Sequence, residues 1–228
     1  MNTPSERLDF IRHRIKKACT AAGRLPTEVE LLVVSKRHPA EKIETFNQLG
    51  VHSFGENQLQ EAINKQQALE HLELQWHFIG AIQSNKTRAI AEHFPWVQSV
   101  DRERILRRLD SQRPPLAGPL NICLQVNIDN EPQKGGAGAE EILDLAAIAN
   151  SLTNIKFRGL MAIPKYSKDV NEQRDSFRRV RELFEQVKTA GYDIDTLSMG
   201  MSSDLEAAIH EGSTMVRVGT DLFGARSS

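Results

Sequence analysis

The feature that most constrains this chain is a repeated alternation of short apolar runs with helical patterns. The apolar runs fall at 31–35 (LLVVS), 51–54 (VHSF), 76–79 (WHFI), 97–100 (VQSV), 120–128 (LNICLQVNI), 157–163 (FRGLMAI), 196–199 (TLSM) and 215–218 (MVRV). Between them lie segments with helical spacing at about 39–49, 56–71, 83–94, 101–110, 138–152, 171–190 and 202–211. The stripe Phe177, Val180, Leu183, Phe184 and Val187 is the clearest of these. Strands separated by helices pair in parallel through crossovers. Runs that are apolar almost throughout suit strands buried on both faces. Eight such units in 228 residues predict an α/β fold, a closed (β/α)8 barrel of the TIM type. An open doubly wound sheet is the alternative.

One helical segment, 4–22, precedes the first strand. Its apolar residues Leu8, Ile11, Ile15, Cys19 and Ala22 recur at three- and four-residue steps, and Gly23 suits its C-terminal end. Almost no chain follows the last strand. The N-terminal helix is therefore expected to fill the place in the outer ring that a final helix would take, with 1–228 forming one domain. The two longest loops, 129–138 (DNEPQKGGAG) and 164–173 (PKYSKDVNEQ), both follow strands. In a barrel both would lie on the face where active sites form.

Composition narrows the function classes. The formal net charge is −1, and no block is rich in lysine or arginine, so a nucleic-acid footprint is not indicated. The densest basic run, DRERILRR at 101–108, mixes charges at helical spacing and reads as a solvated helix face. Two cysteines, Cys19 and Cys123, lie far apart with no metal-ligand spacing, which fits a reduced, cytoplasmic protein. No segment approaches the roughly 20 apolar residues needed to span a bilayer.

The chemistry concentrates at strand ends. Lys36 closes the first apolar run. A lysine there either snorkels to water or presents an amine to the mouth of the barrel, where partial burial would favour its neutral, nucleophilic form. Ser202 and Ser203 place hydroxyls and N–H groups before a helix, and Ser203 with Glu206 has capping-box spacing. That stretch is an anion site or simply a well-capped helix. Gly219 and Thr220 follow the eighth run, where barrels of this kind often hold a phosphate. Arg217 alternates with Val216 and Val218, which points it into the barrel; it needs acceptors there, or an acidic partner. His77 alternates with Trp76 and Phe78 and reads as a hydrogen-bonded core histidine. Asn57 either caps a helix or touches a ligand. Lys134, in the glycine-rich loop, reads as solvated.

The motifs VVSKRHP, FGENQLQE, WHFIGAIQSNK, GLMAIP, LSMGMSSDLEAAI and VRVGTDLFGAR, in this order from about residue 5 to 226, closely resemble the pyridoxal phosphate homeostasis protein family. One departure is Ile82 in GAIQSNK, where the family usually has leucine, a near-isosteric change. The resemblance implies a barrel similar to the N-terminal domain of alanine racemase. It implies that Lys36 carries pyridoxal 5′-phosphate as an internal aldimine. Ser202, Ser203, Gly219 and Thr220 would hold the phosphate, Arg217 would approach the pyridine nitrogen, and Asn57 would lie near the ring.

A guanidinium beside that nitrogen disfavours its protonation and makes the ring a poorer electron sink, which argues against transamination. Alanine racemase also needs a tyrosine from a second domain and a partner subunit, and this chain ends where that domain would begin. Its tyrosines are Tyr166, in a loop, and Tyr192, after a helix. The expected function is storage or carriage of pyridoxal phosphate, and of related B6 vitamers, by a cytoplasmic monomer without clear catalytic activity, with apo-enzymes as possible recipients. A small racemase dependent on the same cofactor, and an aldolase using Lys36 without a cofactor, are the alternatives.

Overall fold

A computed structural model describes residues 3–224. Among them, eight strands form a closed parallel barrel in sequence order. They are β1 (Glu30–Val34), β2 (Ser53–Glu56), β3 (Gln75–Phe78), β4 (Trp96–Val100), β5 (Leu120–Val126), β6 (Ile155–Ala162), β7 (Thr196–Ser198) and β8 (Met215–Val218). The open sheet is ruled out by the last pairing. β8 lies parallel to β1, with Glu30 opposite Met215, Leu32 opposite Arg217 and Val33 opposite Val218.

Helices α1 (Pro4–Ala21), α2 (Ala40–Gln48), α3 (Leu59–Ala68), α4 (Thr87–His93), α5 (Glu103–Gln112), α6 (Ile142–Ser151), α7 (Val170–Thr189), α8 (Leu205–His210) and α9 (Thr220–Phe223) cover the barrel. The side-chain alternation of each strand sorts two environments. Val33, Phe54, Phe78, Val97, Ile122, Leu124 and Leu160 join the helices in one apolar core. Trp96, Cys123 and Met161 form a separate small cluster. His77 stacks on Trp96 with ring centroids 5.0 Å apart.

Two boundaries differ from expectation. The second strand starts at Ser53, not 51, because Val51 is still held in the turn after α2, its N–H donating to the Phe46 carbonyl at 3.0 Å. A final one-turn helix, α9, was not distinguished in the sequence, since four residues carry no periodicity. Ala225 and Arg226, the end of the last quoted motif, lie outside the described residues.

Thr3 and Glu6 start α1 with a reciprocal capping box. The helix buries Leu8, Ile11, Ile15, Ala18 and Cys19. This face packs against α8 and α9 on one side and α2 on the other. α1 thus stands in the outer ring across the β8–β1 seam. Ile11 is fully buried there. Ile11→Ala should cost ~2–5 kcal/mol of stability, by lost transfer energy plus a cavity, whereas Ala at the exposed Asp9 should stay within ~0.5 kcal/mol. Urea unfolding of the two variants checks this; equal, small losses would mean that α1 is a loosely held appendage.

Candidate cofactor site

A cavity of ≈ 700 Å³ opens at the carboxyl ends of the strands. Lys36, Asn57, Ser202, Ser203, Arg217, Gly219 and Thr220 all line it. The structure therefore brings together every site residue singled out in the sequence, from strand ends as far apart in the chain as β1 and β8. Val34, Ile79 and Met201 supply apolar wall, and Ser99, Asp101 and Gln125 polar wall, on the same cavity.

Lys36 is half-buried, two residues past the end of β1. The residue after it, Arg37, has φ 64°, a left-handed conformation unusual for a side chain of this size. On β2, the Glu56 carboxylate is fully buried. It accepts from Ser35 Oγ and from Lys65 Nζ, both at 2.6 Å. Burial pushes the Glu56 carboxyl up from its ordinary value, against the pull of Lys65 and Ser35. Next to it, Asn57 contributes a buried Oδ1 with no hydrogen-bond partner among the described residues. Asn57 does not cap the helix that follows: the N-cap of α3 is Gln58. Gly80 lies against it, and a Cβ there would sit 2.2 Å from the Asn57 carbonyl oxygen, so only glycine lets the chain just after β3 approach so closely.

The floor of the cavity is polar and buried. Arg217 is 4% exposed. Its acceptors are the Ser198 carbonyl and hydroxyl, both at 2.7 Å, and the Ala162 carbonyl at 2.8 Å. No carboxylate pairs with it directly among the described residues, so the acidic-partner reading is replaced by carbonyl caps. Burial lowers its pKa to about 10. The Ser198 hydroxyl donates onward to Gln98 Oε1 at 2.7 Å, and the Gln98 amide nitrogen lies 2.9 Å from His77 Nδ1. Arg217, Ser198, Gln98 and His77 form one hydrogen-bonded line through the barrel interior. Ser198, Gln98 and Lys65 were not singled out in the sequence, and Glu56 was placed beside Asn57 without a role. For Ser198, Gln98 and Glu56 a polar residue within an apolar strand was the available signal, and it was read only at Arg217 and His77; Lys65, on α3, carried no such signal.

The two terminal turns, after the neighbouring strands β7 and β8, line the same cavity. Ser202 and Ser203 lie in the turn before α8, and Gly219 and Thr220 lie after β8. A Cβ on Gly219 would come within 2.8 Å of the Val34 carbonyl oxygen, so the glycine lets the end of β8 close on the end of β1. The capping box expected of Ser203 and Glu206 does not form. The N-cap of α8 is Asp204, which accepts from the Met201 N–H at 2.6 Å. Glu206 is instead engaged by the fork of Arg14 on α1, at 2.6 and 2.8 Å. Arg14 also reaches Asp221 at 2.8 Å and the Ser202 carbonyl at 2.9 Å. It ties both turns to α1, a role its place on an amphipathic helix does not reveal.

Lys134 is only partly solvated, its side chain 29% exposed. It pairs with Glu131 and donates to the Pro164 carbonyl at 2.8 Å, joining the loops after β5 and β6. Tyr166 is exposed, and Tyr192 packs edge-on to Phe157; neither lines the cavity. Among the described residues no helix is long and apolar enough to cross a membrane, and no group of three or more metal-type ligands occurs.

Fold and site together define a barrel of the alanine racemase N-terminal-domain class: a family model described as alanine racemase, N-terminal domain, matches residues 7–227. A pyridoxal phosphate homeostasis protein of Pseudomonas aeruginosa is 52% identical over 99% of this chain and 97% of its own. One from Escherichia coli K12 is 45% identical, over 99% and 98%. PipY of Synechococcus elongatus, solved with pyridoxal phosphate bound, superposes with a TM-score of 0.86 at 36% identity, covering 97% of this chain and all of that one. An alanine racemase of Clostridium difficile shares the fold at 15% identity, with a TM-score of 0.75 over 58% of its length. This chain belongs to the pyridoxal phosphate homeostasis protein family.

Burial holds the His77 pKa down at about 3, against an ordinary 6.5. The unfolded chain therefore takes up a proton at His77 below about pH 6.5 while the folded chain does not, so this histidine's contribution is intact above that pH and is lost as pH falls toward 3. Between about pH 6 and pH 4, His77→Gln should flatten the loss of stability by about 1.4 kcal/mol per pH unit. Urea unfolding across that range checks it; an unchanged slope would mean that His77 is protonated in the folded state.

Proposed function

We propose that this chain binds pyridoxal 5′-phosphate in the cavity at the β1–β8 seam, with Lys36 as its covalent anchor, and serves to store and carry the cofactor. The observation that carries this reading is the convergence of four unlike groups on one cavity: an amine, a buried guanidinium, an unpartnered amide oxygen and two hydroxyl-bearing turns. They fit the cofactor's chemistry group by group. The bound cofactor would supply an electrophilic aldehyde. Lys36 Nζ would add to that carbon with loss of water, and adding water would reverse the link. Ser202, Ser203, Gly219 and Thr220 would hold the phosphate, and Asn57 would lie near the ring. The relatives' shared name and the cofactor-bound PipY support the same reading.

Arg217 bears on what the site does with the cofactor. With a pKa of about 10 it stays charged at neutral pH, held by three acceptors. A cation facing the ring nitrogen keeps that nitrogen unprotonated and weakens the ring as an electron sink. That chemistry favours holding the cofactor over turning amino acids over. Related B6 vitamers that carry the phosphate would enter the same turns, and apo-enzymes would be the recipients. All seven residues proposed to hold the cofactor come from one chain, which supports a monomer. Both cysteines are buried and unbridged, which supports a reducing, cytoplasmic location.

The protein incubated with pyridoxal phosphate should turn yellow. Borohydride reduction and peptide mapping should place a phosphopyridoxyl group on Lys36 and none on a Lys36→Ala variant. A colourless protein would leave the cofactor-free aldolase reading in place. With D- and L-amino acids, wild type should show no steady turnover beyond the Lys36→Ala control; turnover by wild type alone would reject the carrier reading. Replacing Ser202 and Ser203 together by alanine should weaken pyridoxal phosphate about tenfold and leave unphosphorylated pyridoxal unchanged, as expected for hydrogen bonds to a charged group. Equal losses for both ligands would place the phosphate elsewhere.

A further inference from the structure

The Lys36 backbone is held from both sides by a largely buried charged network, Glu56, Lys65 and Glu61, none of which lines the cavity. On the near side, every polar group of Ser35 is engaged. Its N–H donates to the Gly55 carbonyl at 3.1 Å, its hydroxyl to Glu56 Oε1 at 2.6 Å, and its carbonyl accepts from Lys65 Nζ at 2.9 Å and the His38 N–H at 3.1 Å. On the far side, the Arg37 N–H donates to Glu61 Oε1 at 2.5 Å. Lys65 joins the two sides. Its amine, 6% exposed as a residue, bonds Glu56 and Glu61, each at 2.6 Å. Glu61 and Lys65 stand one turn apart on α3, and Glu56 ends β2.

Such an arrangement is costly unless position is what it secures. It takes a lysine and a fully buried carboxylate out of water, leaves Glu56 Oε2 without a hydrogen-bond partner among the described residues, and holds Arg37 at φ 64°. Ordinary strand-end turns need none of this. Glu61 accepts the N–H of Arg37, the left-handed residue immediately after Lys36.

We propose that Glu61, with Lys65 and Glu56, is a positioning device for Lys36: it fixes the turn 35–37 so that the Lys36 amine meets the cofactor's aldehyde already oriented. This rests on the reading of Lys36 as the covalent anchor. The network touches neither phosphate turn, so its effect is confined to ligands that carry an aldehyde. Ordering the turn before the ligand arrives removes a backbone-entropy cost from covalent binding.

Glu61 is the position to change, because it is the least buried member and its loss leaves the Lys65–Glu56 pair and the Lys65–Ser35 bond intact. Dissociation constants are measured for pyridoxal phosphate and for pyridoxine 5′-phosphate, which has the same ring and phosphate but no aldehyde. Glu61→Ala should weaken pyridoxal phosphate about tenfold, equivalent to ~1.4 kcal/mol, and leave pyridoxine phosphate within about twofold. Glu61→Gln keeps an acceptor for the Arg37 N–H and should restore most of the difference. Unchanged affinity for both ligands in Glu61→Ala, or an equal loss for both, would overturn the proposal. Lys36→Ala separates this from the anchor itself. It should bring pyridoxal phosphate down to the level of pyridoxine phosphate; if it does not, the covalent reading fails and the positioning role with it.

Discussion

The structure depends above all on the parallel pairing of the last strand with the first. That pairing sets Leu32 opposite Arg217 and Val33 opposite Val218, across nearly the whole length of the chain. Gly219 completes it, since any Cβ there would press on the Val34 carbonyl. Closure puts the residue that follows β1 beside the turn that follows β8. An amine and a hydroxyl-bearing turn, each ordinary alone, thereby share one cavity. Arg14 then fastens α1 over the seam by holding Glu206, Asp221 and the Ser202 carbonyl at once. The N-terminal helix is thus tied to the site as well as to the core.

Beneath the cavity the barrel interior is unlike its exterior. The outward faces of the strands pack apolar side chains against the helices, but the inward faces carry Arg217, Ser198, Gln98 and His77. Polar groups so deeply buried are tolerable only when partnered, and each member here has a partner. A fully bonded line of this kind rigidifies the floor and keeps the guanidinium in one orientation. The Glu56–Lys65–Glu61 network does the same at the rim. The cavity is bounded below by the bonded line that holds Arg217, whereas part of its wall comes from loops, such as the one carrying Gly135.

The fold was legible because its signal is periodic. Strands buried on both faces and amphipathic helices leave patterns that survive in one sequence, and eight of each in alternation admit few architectures. Strand-end positions were legible for the same reason: Lys36, Gly219 and Thr220 could be placed at the mouth once the strands were placed. What escaped was long-range pairing between ordinary side chains. Glu206 had the spacing of a capping box, but Arg14, 192 residues away, holds it instead. Lys134 sits in a loop that local rules call solvated, yet the loop after β6 folds back to meet it. Lys65 lies at a helical position typical of solvent-facing lysines; only the β2–α3 packing reveals that it is buried against Glu56.

The central claim is geometric: one cavity, at the seam where the barrel closes, joins the Lys36 amine to a pair of hydroxyl-bearing turns. A crystal structure grown with pyridoxal phosphate tests it most directly. The account predicts unbroken density from Lys36 Nζ to the cofactor's aldehyde carbon, with the phosphate between the turns at 201–204 and 219–220 and Arg217 facing the ring nitrogen. A cofactor seated away from the β1–β8 seam, or lying in the cavity with no link to Lys36, would contradict it.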